Sequence, residues 1–174
     1  MLFVTDPERT PDPAAIARRL PRGSGIVYRA FGAPDALGDL TAIARRTGLT
    51  LLIGADERLA RKAAAQGLHL PERLVHRLPR LRARYPRWLI TTAAHSPAAV
   101  RRAARLGADA VLLSTIFESR SPSAGRPIGP IRLAAIARSA PVPVYALGGV
   151  GMKNARRLLA SSVVGIAAVD AFRT

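Results

Sequence analysis

The sequence predicts a compact (β/α)8 TIM barrel, an α/β fold with its last helix truncated, on three observations. Eight short apolar runs alternate with seven Ala/Arg/Leu helical patterns at a spacing of about 20 residues, as expected of βα units joined in a parallel sheet. The stretch Pro141-Val-Pro-Val-Tyr-Ala-Leu-Gly148-Gly149-Val-Gly151-Met-Lys153 reads as a buried strand that ends in paired glycines and passes at once into a helix. After the eighth strand only Asp170-Ala-Phe-Arg-Thr174 remains, too little for a closing helix. The 174 residues fit one domain, residues 1–174, although this barrel usually needs at least about 200 residues. An open doubly wound sheet is the alternative, because periodicity does not see closure.

In chain order the strands are expected at Leu2–Thr5, Gly25–Arg29, Leu49–Ile53, Gly67–Leu70, Trp88–Thr92, Ala110–Leu113, Val142–Leu147 and Val163–Val169, each a short apolar run. Helices are expected between them at Pro13–Leu20, Asp35–Thr47, Asp56–Gln66, Leu78–Arg84, Pro97–Leu106, Pro130–Ser139 and Lys153–Ala160. Start signals support several of these. Pro13 follows Asp12, Pro97 follows Ser96, and Pro79 and Pro130 fall in first turns.

Composition narrows the class. Hydrophobic content of 49% and mean hydropathy of +0.14 are those of a globular chain, and no apolar run approaches the roughly 18 residues that span a bilayer. The N-terminus enters a strand without a basic segment or a small-residue cleavage site, so a cytoplasmic protein is expected, with no membrane partner. Zero cysteines exclude disulfides, thiolate metal sites and a cysteine nucleophile. Twenty-seven basic against 11 acidic residues give a net charge of +16, nearly all of it arginine. The arginines are scattered over several helix faces, most densely from Arg73 to Arg87, whereas a dedicated nucleic-acid binder concentrates its charge on one element with aromatics interleaved, so nucleic acid is not expected as a partner.

In such barrels the chemistry sits at the C-terminal strand ends and the loops that follow. Gly148-Gly149 lets bare backbone N–H groups approach an oxyanion. The longest loop, Ser114 to Pro127, carries hydroxyls with Arg120 and Arg126, groups suited to a phosphate or pyrophosphate. Thr5-Asp6, Arg29, Asp56-Glu57, His69, Glu72 and His95 also fall at strand ends.

Gly-Leu-His-Leu (67–70), Ala-Ala-His-Ser (93–96), Leu-Gly-Ala-Asp-Ala-Val-Leu-Leu-Ser (106–114), Ile-Phe-Glu-Ser-Arg-Ser (116–121) and Ala-Leu-Gly-Gly-Val (146–150) resemble the thiamine phosphate synthase and thiazole tautomerase superfamily. The resemblance implies a barrel that binds a phosphorylated thiazole, and a synthase reaction in which the thiazole traps a pyrimidine cation released from hydroxymethylpyrimidine pyrophosphate with help from Mg2+. It places the thiazole phosphate on Gly149 and the backbone at Val169-Asp170, to which the glycine pair adds Gly148 and the charge of the long loop adds Arg120 as expected phosphate contacts. Ser119 and Ser121 take the hydroxyl positions of the pyrophosphate loop, and Arg29 faces the pyrophosphate.

The family's metal carboxylates fall here on Ala55 and Leu74, so any Mg2+ would need Asp56 and Glu72 as substitutes. The histidine that tautomerase-like relatives use falls on Thr115, which leaves His69 and His95 as possible proton shuttles. Three readings therefore stand: a synthase with an altered metal site, a metal-independent thiazole-phosphate tautomerase, and a non-catalytic thiamine phosphate-binding regulatory protein. A carboxylate at Asp170 would repel phosphate, and is expected to turn outward to an arginine. A homodimer is expected to cover the flank around Ala171-Phe172.

Overall fold

The computed structural model describes residues 1–29, 36–119, 121 and 125–170. Eight parallel strands close on themselves in sequence order. They are β1 (Leu2–Val4), β2 (Gly25–Tyr28), β3 (Thr50–Gly54), β4 (Gly67–Leu70), β5 (Leu89–Ala94), β6 (Ala110–Leu113), β7 (Val144–Ala146) and β8 (Gly165–Ala168). Closure is made by β1 against β8, with Leu2 opposite Ala167 and Phe3 opposite Ala168. The open-sheet alternative is thereby eliminated.

Most strand residues are buried on both faces, which is why the strands read as continuous apolar runs and not as alternating ones. Alternate side chains part into two cores. Leu2, Val4, Val27, Leu52, Leu112 and Ala167 fill the barrel interior. Phe3, Ile26, Leu51, Ile53, Leu68 and Ile90 point outward, where the helices cover them. Where Gly67 stands, a Cβ would collide with the backbone of Leu89, so this glycine permits close approach of β4 and β5.

The helices are α1 (Pro13–Arg19), α2 (Leu37–Thr47), α3 (Glu57–Lys62), α4 (Leu78–Arg84), α5 (Pro97–Arg105) and α6 (Gly129–Ser139), with 3-10 helices at Glu72–Arg77 and Ala155–Leu158. Asp12, Asp56 and Ser96 cap α1, α3 and α5 by accepting from the backbone N–H three residues on. Two expectations need correction. The helix expected at Asp56–Gln66 stops at Lys62, and the seventh helix, expected at Lys153–Ala160, is one 3-10 turn. Its start is held by Asn154, whose side chain bonds backbone groups in place of a helical turn. Among the described residues no helix is long and apolar enough to cross a membrane.

Candidate active site

The C-terminal ends of β1, β2, β6, β7 and β8 surround a cleft of about 450 Å3. Its walls bring together Arg29, Ser119, Ser121, Gly148, Gly149, Val169 and Asp170 from the sequence-based expectation. Ser114, Thr115, Glu118, Met152, Lys153 and Arg9 complete its polar and flexible lining. Arg120 and Ala171-Phe172 lie outside the described residues. Arg126 is exposed and does not line the cleft.

Paired glycines build the floor for a stereochemical reason. Gly148 and Gly149 have φ of +90° and +67°, and a Cβ at Gly149 would strike the carbonyls of Glu118 and Phe117. The β7 exit and the serine loop are thus stacked backbone on backbone, tied by Phe117 N–H donating to the Gly148 carbonyl (3.0 Å). Beyond them Asn154 clamps the turn: its amide donates to the Gly149 carbonyl (2.8 Å), and its oxygen accepts from Gly151 N–H (2.9 Å). The N–H of Gly149 donates to no group among the described residues. Because a single 3-10 turn follows, the N–H groups themselves and not a helix macrodipole would attract an anion here.

The opposite wall is an ion network centred on Asp6. Its Oδ2 accepts from Arg9 Nη2 (3.0 Å), Arg9 Nε (3.2 Å) and Arg29 Nη2 (3.4 Å). Burial acts to raise the Asp6 carboxyl, but the hydrogen bonds and charge of Arg9, with the charge of Arg29, leave it below its ordinary value. Arg29 is fixed further by its Nε donating to the Thr5 carbonyl (2.9 Å) and its backbone N–H donating to Thr5 Oγ1 (2.8 Å). Desolvation lowers its pKa, Asp6 opposes that effect, and the charge of Arg9 adds to the lowering. Arg9 also reaches Asp170 Oδ2 at 3.2 Å, so the Asp170 carboxylate is directed to an arginine. Sequence reasoning missed Arg9. The available signal was the carboxylate three residues before it, at a strand end.

His69 and His95 occupy different surroundings. His69 lies buried at the end of β4, with Nδ1 2.9 Å from Thr91 Oγ1. Desolvation, with the charge of Arg29 adding, pushes its pKa down to about 4, so the ring is neutral near pH 7. His95 is exposed; its Nδ1 lies 2.7 Å from Glu72 Oε2, and its backbone N–H donates to the same oxygen (2.9 Å). Neither ring lines the cleft. His76 is exposed, as its arginine-rich surroundings suggested.

The carboxylates considered for Mg2+ are engaged elsewhere. Asp56 Oδ1 caps α3 through Leu59 N–H (2.9 Å), and Glu72 Oε2 serves His95. Among the described residues no three His, Cys, Asp or Glu side chains gather into a metal site. Mg2+ takes an octahedron of oxygens with one or two carboxylates beside substrate phosphates. Asp56 and Glu72 do not fit that role.

Fold and cleft together define a (β/α)8 barrel with a basic, hydroxyl-bearing and glycine-floored cleft at its C-terminal face. The thiamine monophosphate synthase family model matches residues 4–172, and the chain belongs to that family of thiamine biosynthesis. It is 30% identical over 139 residues to a thiamine-phosphate synthase of Chloroflexus aurantiacus, covering 76% of this chain and 62% of that protein. To the thiamine-phosphate synthase of Roseiflexus castenholzii it is 30% identical over 143 residues, covering 78% and 60%. The chain thus spans about three fifths of the length of these two relatives. The fold is similar to that of thiamine phosphate pyrophosphorylase from Pyrococcus furiosus, with TM-score 0.79 at 21% identity over 97% of this chain and 84% of that one. A 3-hexulose-6-phosphate synthase superimposes with TM-score 0.65 at 14% identity, covering 97% and 89%. Likeness at these identities shows the fold alone.

Proposed function

We propose that the chain is a thiamine-biosynthesis protein that holds a phosphorylated thiazole in the cleft, its phosphate on the Gly148-Gly149 backbone and near Val169. Condensation with hydroxymethylpyrimidine pyrophosphate is the reaction, with Arg29 beside the pyrophosphate and Ser119 and Ser121 donating to it. The observation that carries this reading is the meeting, in one cleft, of a Gly149 N–H that donates to none of the described residues, two arginines tied by Asp6 and the serine loop. Charge-assisted hydrogen bonds to phosphate oxygens are what such a set supplies. A cytoplasmic homodimer belongs to the same reading.

The occupied carboxylates favour a second reading, binding of the phosphorylated thiazole or thiamine phosphate without turnover. One experiment separates the two. Thiazole phosphate is titrated calorimetrically into the protein, and product is then followed with both substrates, with and without Mg2+, in the wild type and in Arg29→Gln. Binding together with product, formed about tenfold or more slowly by Arg29→Gln, supports the synthase. Binding without product supports the second reading. No binding overturns both.

A further inference from the structure

A second concavity lies beside the C-terminal end of β3 and shares no lining residue with the cleft. It is a groove of about 690 Å3 bounded by Asp56, Glu57, Arg58, Arg61, Arg77 and Arg84. Four arginines face two carboxylates, and both carboxylates are already engaged. Asp56 caps α3. Glu57 Oε1 accepts from the Tyr85 hydroxyl (2.7 Å) and pairs with Arg84 Nη1 (3.0 Å). That hydrogen bond is the main cause holding the Glu57 carboxyl below its ordinary value, against the opposing effect of burial and with Arg84, Arg77 and Arg80 adding to it. Arg58 and Arg61 stand three residues apart on α3, exposed, and their guanidinium groups have no partner among the described residues. Arg77, on the neighbouring 3-10 helix, turns inward with Nη1 3.5 Å from the Ala55 carbonyl.

We propose that this groove is a second anion site that takes a condensed phosphate, of which inorganic pyrophosphate is the smallest. Positive charge is in surplus, and it comes from separate elements: α3 on one side, the 3-10 helix and α4 on the other. A planar guanidinium presents paired N–H donors that match phosphate oxygens. An anion with oxygens on two phosphorus centres can use both walls at once, whereas orthophosphate uses one. No metal enters this recognition. The site stands or falls apart from the function proposed for the main cleft.

The protein carries its own reporter. Trp88, its single tryptophan, stacks on Tyr85 with ring centroids 3.9 Å apart, and Arg84 lies 5.5 Å over the Tyr85 ring. Inorganic pyrophosphate that draws Arg84 away perturbs this stack. Titrating it should give a saturable change in Trp88 emission, with orthophosphate weaker. Arg58→Gln/Arg61→Gln should raise the half-saturation about tenfold or more, while Arg101→Gln/Arg102→Gln, the same charge change on the exposed face of α5, shifts it less than about twofold. Arg29→Gln, in the cleft, should leave it unchanged. Calorimetry should show that one bound equivalent of the wild type loses affinity by the same factor in the α3 variant while the other keeps it. Equal weakening in both double variants would reduce the effect to bulk charge, and weakening by Arg29→Gln would assign it to the cleft. Either result overturns the proposal, as does an unchanged affinity of every bound equivalent in the α3 variant.

Discussion

His69 is a buried base kept neutral beside a fixed cation, and that has a measurable cost at low pH. Its folded pKa, about 4, lies below the ordinary 6.5 because burial disfavours the imidazolium and Arg29 repels it. The unfolded chain therefore binds the proton first. Stability is full above pH 6.5, falls as pH drops from 6.5 towards 4, and levels off below that. Between pH 7.5 and 5 the loss should be about 2 kcal/mol in urea-unfolding experiments, and His69→Gln should remove most of it. At this scale the sequence yielded residue types but not partners. Arg29, Ser119, Ser121 and the paired glycines could be read because each belongs to a strand end or a long loop, and those converge in any closed barrel. The roles of Arg9, Asp56 and Glu72 depend on side-chain contacts that composition and spacing do not encode. Asp56 caps its own helix, Glu72 meets a histidine 23 residues away, and Arg9 meets a carboxylate 161 residues away.

Among the elements, the β7 exit departs furthest from its expected form. The sequence from Pro141 onward promised strand, paired glycines and a helix at Lys153–Ala160; the strand and glycines are present, while Asn154 diverts the backbone into a turn. Propensity over Lys153–Ala160 is helical, but one local side-chain bond pattern decides the outcome. Substitution of Gly149 also acts differently from a simple block on ligand entry. Gly149→Ala demands a positive φ and drives a Cβ into the Glu118 and Phe117 carbonyls, so it should destabilise by about 1–3 kcal/mol. Gly151→Ala enters open space and should stay within about 0.5 kcal/mol. Denaturant midpoints of the two variants check this contrast. Asp56→Ala should lose about 1 kcal/mol through its missing cap, at any Mg2+ concentration; a loss seen solely when Mg2+ is present would restore the carboxylate to a metal role.

For the whole molecule, strand count, order and parallel direction were legible because most strand residues are buried on both faces and helical patterns alternate with the strands along the chain. Closure was expected from the count of eight strands and from the family resemblance and not from periodicity, since a pairing between the first and last strands leaves no periodic trace. The outer surface carries a further expectation. Ile131 on α6 and Leu159 after the last 3-10 helix are 86% and 87% exposed, on elements that pack together. Apolar side chains so placed favour a second copy as cover. Sedimentation at micromolar concentration should give about twice the 18.5 kDa chain mass, and Ile131→Glu/Leu159→Glu should restore the monomer. A wild-type monomer across that range would remove dimerisation from the functional reading.

The 3-10 turn that replaces the seventh helix also sets the thermodynamics of the glycine floor. The helices α1 and α2 that follow β1 and β2 bury four side chains each; Ala155–Leu158 is a single turn and buries one, Leu158. Such a segment opens at a lower free-energy cost than the strands it joins. Amide exchange should therefore be fast from Gly148 to Leu159 in the free protein and slow there on saturation with a phosphorylated ligand. The opening equilibrium is displaced by roughly RT ln(1 + [L]/Kd), while amides of β4 and β5, held from both sides, keep their rates. The cleft's anion floor would then be a part of the barrel that its own ligand finishes folding.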